Sequence, residues 1–166
     1  HDMILRTALD KAPAAKWAKD NSLDGALLGG VVTDKLVSEM EKTGVPFVVL
    51  GNYELSKDAP RVEIDFSPLS EAVRTAVEKF SCSRVGAIGP ARSLLISRQL
   101  EEQVRLGAEK AGLPVIRELF RFREAEDGHR EMAWLMERAK ERPDFLYVTS
   151  QAFAGVAKYI FEKGLE

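Results

Sequence analysis

The chain has 166 residues, 45% hydrophobic and 30% charged, and a formal net charge of −2. That mixture fits a folded globular protein with one core or two small ones, and with acid and base interspersed it offers no basic footprint for nucleic acid. No apolar run approaches the roughly 20 residues of a membrane span, and the opening residues show neither n-region nor h-region. The single cysteine, Cys82, rules out a disulfide within the chain, fits a reducing cytoplasm and reads as a small core or near-core thiol.

In chain order, Met3 to Ala8 is a short apolar run that predicts a strand. Pro13 suits the first turn of a helix, where its missing N–H has no partner to lose, and that helix runs to about Asp20. Asp24 to Gly30 (D-G-A-L-L-G-G) and Pro46 to Gly51 are unalternating apolar runs, the pattern of strands buried on both faces of a parallel sheet. Between them Asp34 to Lys42 predicts an amphipathic helix, with Thr33 as N-cap and Gly44 as stop. Glycines at the carboxyl ends of both strands complete a βαβ unit, and ligands bind outside such carboxyl ends.

Arg61 to Asp65 predicts a further strand. Ser67-Pro68 then starts a helix with Leu69, Val73, Val77 and Phe80 at helical spacing. Val85 to Ile88 is a strand ending at Gly89-Pro90, followed by a helix with Ile96, Leu100, Val104, Ala108 and Ala111 on one face, ended by Gly112. Pro114 to Phe120 predicts a strand, Gly128 to Arg142 a helix halted before Pro143, Phe145 to Val148 a strand, and Ala152 to Lys163 a helix stopped by Gly164. Strands alternating with helices throughout mean α/β, with mostly parallel strands. The small polar interruption Ser81-Cys82-Ser83 divides one βα series from the next, so the strands fall into two sheets, with residues 1–82 and 83–166 as the two parts.

Catalytic signatures are missing. There is no P-loop and no G-x-S-x-G elbow, and Gly86-Ala-Ile-Gly89 has the wrong spacing for a dinucleotide loop. His1 and His129 satisfy no ligand spacing and read as surface histidines. The pattern implies no enzyme, no cofactor and no metal site.

The succession D-G-A-L-L-G-G, G-V-P-F-V-V-L-G-N, V-E-I-D-F-S, S-R-V-G-A-I-G-P and E-K-A-G-L-P-V resembles the effector-binding domain of lactose-repressor-type transcriptional regulators, which have the type I periplasmic-binding-protein fold. The resemblance covers nearly the whole chain. It implies two lobes of parallel sheet flanked by helices, the first covering 1–82 and the second 83–166, with a ligand cleft between them. It also implies a cytoplasmic homodimer, and DNA contact through a headpiece that this chain lacks. Measured against that family, the chain reads as an incomplete internal piece.

Carried over position by position, the resemblance places ligand contacts at Asp65, Phe66, Arg98, Arg123, Ser150 and Gln151. Asp65-Phe66 stands where the family has Asp-Asn. Leu100 occupies the position of the ligand-clamping arginine, with Arg98 two residues earlier. Arg123 falls near an aromatic stacking position, and Ser150-Gln151 replaces an Asn-Asp pair. Each has a plainer reading beside it. Asp65 caps the next helix, Phe66 packs, Arg98 and Arg123 are solvated charges or grip an anion, and Ser150 and Gln151 are an N-cap or a neutral polar contact. Asn52 and Tyr53 also sit on a strand rim, where Tyr53 contacts either ligand or a partner subunit. With its usual sugar-binding groups largely replaced, the site points to a polar effector carrying a ring or an anionic group, such as a sugar derivative or nucleoside. The same fold serves solute-binding receptors of transport systems, which is the alternative reading. A small α/β enzyme is a third, for which no convergent rim set is visible.

Overall fold

A computed structural model describes residues 14–20, 23–90, 94–122 and 127–165 of the chain. The expected strand Met3 to Ala8 and the candidate Arg123 lie outside them. The element order is α1 (Ala14–Asp20), β1 (Ala26–Leu28), α2 (Asp34–Glu41), β2 (Phe47–Leu50), β3 (Arg61–Val62), α3 (Ser67–Lys79), β4 (Val85–Pro90), α4 (Leu95–Lys110), β5 (Val115–Phe122), α5 (Asp127–Arg138), β6 (Phe145–Val148) and α6 (Ser150–Lys163). The strands form two three-stranded sheets, β1-β2-β3 and β5-β4-β6, and every pairing is parallel. The α/β class and the two parallel sheets are therefore as the sequence predicts.

The chain divides into two compact units, residues 1–64 and 65–166. In the first, Leu28 and Val49 point into a core shared with Ala15 and Ala18 of α1 and Val37 and Met40 of α2. Thr33 caps α2 as expected, its hydroxyl accepting from the Leu36 N–H at 3.3 Å. β3 is shorter than its apolar pattern because Asn52 takes over the pairing. Its side chain donates to the Ile64 carbonyl at 2.9 Å and accepts from the Ile64 N–H at 2.8 Å, replacing the next rung of the ladder. On the opposite face of this sheet Leu27 and Val62 remain exposed.

The second unit is a three-layer α/β sandwich around β4. Side chains alternate along that strand. Val85 and Ala87 enter a core with Val73 and Val77 of α3 and Leu100, Val104 and Ala108 of α4. Ile88 enters the other core, with Met132 and Leu135 of α5 and Ala152, Val156 and Tyr159 of α6. The contacts thus begin the second unit at Asp65, earlier than the division at Ser81–Ser83 read from the sequence. The physical reason is that α3 buries Val73 and Val77 against β4 and α4, so it packs with the sheet that follows it.

Two bounds shift for similar reasons. α5 stops at Arg138 and leaves a loop to Asp144, four residues short of the expected Arg142. That loop brings Pro143 against Gly86, where a Cβ would sit 2.8 Å from the proline ring, and Asp144 against the turn before β4. α6 begins at Ser150, two residues earlier than expected. It ends at Gly164, which adopts the left-handed conformation (φ 59°) that favours glycine at a helix stop. Cys82 is half-buried against the α3/α4 core, where desolvation and then the Asp144 charge push its thiol up. This matches its reading as a near-core thiol.

Candidate functional site

In the second unit the helices after β4 and β6 lie on opposite faces of the sheet: α4 packs with the Val85 side, α6 with the Ile88 side. Adjacent parallel strands whose connections diverge in this way open a crevice outside their carboxyl ends, where ligands bind in open α/β sheets. Here the switch point lies beyond Pro90 and Val148, where α4 and α6 begin. Backbone pairing extends one residue past β6, the Thr149 N–H donating to the Ile88 carbonyl at 3.0 Å.

Ser150 and Gln151 open α6 with exposed side chains. The Thr149 carbonyl accepts from Ala152 and Phe153 at 3.0 Å each, and the first turn of α6 holds no acidic residue. Arg98 is exposed in the first turn of α4. The structure therefore brings Arg98, Ser150 and Gln151 to two helix starts on one rim. Sequence reasoning missed two further groups there. The Ser97 hydroxyl in the first turn of α4 and the Thr149 hydroxyl at the N-cap of α6 are buried without a hydrogen-bond partner. Buried hydroxyls are nearly always paired, so two orphans on one rim mark it chemically. The only sequence signal was their position, Thr149 directly after β6 and Ser97 in the first turn of the helix that follows β4.

Asp65 does what its plain reading says. Its carboxylate accepts from the Ser67 N–H at 2.8 Å and the Ser67 hydroxyl at 3.0 Å, and those bonds hold its pKa below the ordinary carboxylate value. Phe66 is half-buried against the core of Val73, Val85 and Leu100, again its plain reading. Arg123 lies outside the described residues.

The rim of the first unit is tied up locally. Asn52 brackets Ile64, and the Tyr53 hydroxyl donates to the Gly30 carbonyl at 3.0 Å. Asp34, in the first turn of α2, accepts from the Ser56 N–H and hydroxyl (2.9 Å each) and the Lys57 N–H (3.2 Å). The Ser56 hydroxyl bond is the main cause of its lowered pKa. His129 lies edge-on to Tyr159 and meets Glu162 at 2.9 Å, a surface role. Among the described residues no group of His, Cys, Asp and Glu could hold a metal ion, and no helix is long and apolar enough to cross a membrane.

No protein-family model matches the chain, and no curated protein matches its sequence. Solved structures do match. A regulatory protein of the LacI family from Chloroflexus aggregans is 20% identical with a TM-score of 0.75, over 90% of this chain and 55% of that one. A substrate-binding protein of a sugar ABC transport system from Bordetella parapertussis is 18% identical with a TM-score of 0.75, over 90% and 49%. The Cra transcriptional dual regulator from Pseudomonas putida, in complex with fructose 1-phosphate, is 17% identical with a TM-score of 0.72, over 89% and 56%. The fold is thus that of type I periplasmic-binding-protein-like α/β proteins, and the chain spans about half the length of these neighbours.

Proposed function

We propose that this chain is the effector-sensing part of a ligand-responsive transcriptional regulator of the lactose-repressor type. It binds a small polar molecule and has no catalytic role and no cofactor. In this reading the intact protein is a cytoplasmic homodimer that contacts DNA through a headpiece outside these residues. Effector binding favours one conformational state over another, and that differential affinity is what the headpiece senses.

The observation that carries the reading is the topological switch point beyond β4 and β6. Ser150, Gln151 and Arg98 stand at the helix starts beside it, in a fold whose neighbours include a regulator solved with a phosphorylated sugar. Uncharged hydrogen-bonding groups with a guanidinium nearby suit a sugar derivative or nucleoside-like molecule with a ring or an anionic group. Asp65, Phe66 and Arg123 complete the proposed contact set. Of these, Asp65 and Phe66 also have structural duties.

A second reading, a solute-binding receptor of a transport system, draws support from the Bordetella neighbour, whose TM-score equals that of the Chloroflexus regulator. The sequence upstream of His1 in the parent gene separates the two: a helix-turn-helix supports the regulator, a secretory signal the receptor. The ligand itself is tested by a thermal-shift screen of sugars, sugar phosphates and nucleosides on the intact protein, since a ligand specific for the native state raises its melting temperature. Arg123→Ala is expected to weaken binding of the hit by more than about tenfold, the scale of one good charged contact. Unchanged affinity would remove the anionic group from the proposal.

A further inference from the structure

We draw no further inference here: the strongest candidate, the apolar outer face of the first sheet on which Leu27, Leu50 and Val62 stand exposed, carries nothing, because nothing in the structure shows what covers it.

Discussion

The two helix layers of the second unit, α3 with α4 and α5 with α6, solve the same packing problem with one glycine each and then diverge at their outer surfaces. In the first layer Gly107 lies where a Cβ would come 2.5 Å from the Ser70 carbonyl oxygen and 2.7 Å from Val73 Cβ; in the second, Gly128 lies directly against the backbone of Ala152. Around the first crossing the polar groups are satisfied. Ser70 donates to the Ser67 carbonyl at 3.2 Å and accepts from Lys110 at 2.9 Å. Each layer keeps one buried hydroxyl without a partner at a helix start, Ser97 in the first and Thr149 in the second, while α6 alone exposes two phenylalanines, Phe153 and Phe161. The crossings of the two layers are alike, and the difference lies at their outer surfaces, charged on α3 and α4 and partly apolar on α6; the proposed ligand site draws on the helix starts of both layers.

The largest effects come from the glycines. Gly128→Ala places a methyl group into the Ala152 backbone, which cannot yield without parting α5 from α6. We expect a loss of about 3 kcal/mol or more in urea unfolding, the upper range for overpacking. Gly107→Ala should cost about 2–3 kcal/mol, because part of its clash is with the Val73 side chain. A cost below about 0.5 kcal/mol, within the range of an ordinary surface substitution, would mean that the layers are not locked by these crossings.

Asp144 sits at the start of β6 and ties it to the turn between α3 and β4. Its carboxylate accepts from the Ser83 hydroxyl at 2.6 Å and the Arg84 N–H at 2.8 Å. These bonds, the Ser83 hydroxyl foremost, hold its pKa at about 2 against the usual 3.8. Because the folded value lies below the unfolded one, the stabilisation is complete above about pH 4 and is lost as pH falls towards 2. The group is solvent-exposed, so the expected contribution is discounted to about 1 kcal/mol. Asp144→Asn should flatten this part of the pH–stability curve, and a variant that keeps the wild-type acid limb would contradict the assignment. At the smallest end, Arg105→Ala should leave the urea midpoint almost unmoved, because exposed helical ion pairs contribute little. A clear fall in the midpoint would show that the charged face of α4 holds more than solvent.

Much of this architecture could be read from the chain. Unalternating runs such as Phe47–Leu50 and Phe145–Val148 announce parallel strands, and Thr33 and Gly164 mark helix ends by their local chemistry. What could not be read is what a periodic face packs against. Val73 and Val77 show that α3 has a buried side, but the sheet it joins is decided by β4 and α4, residues distant in sequence. Asn52 illustrates the same limit, since a polar residue after a strand reads as a rim contact until its side chain is seen to bond both the N–H and the carbonyl of Ile64. At the site, Ser150 and Gln151 were legible as a helix start after a strand, and Arg98 only through its distance from the clamping-arginine position of the family it resembles. Ser97 and Thr149 were not, because only burial distinguishes an orphan hydroxyl from a solvated one.

The central claim, that a small polar ligand binds beyond the carboxyl ends of β4 and β6, is tested most directly by calorimetric titration. The strongest hit of the thermal-shift screen would be titrated into wild-type protein and into the Ser150→Ala/Gln151→Ala double variant. Loss of two neutral hydrogen bonds at about 1 kcal/mol each predicts binding weakened by roughly tenfold to a hundredfold, with the melting temperature of the free protein unchanged because both side chains are exposed. Equal affinity in the two proteins would place the ligand elsewhere and contradict the account.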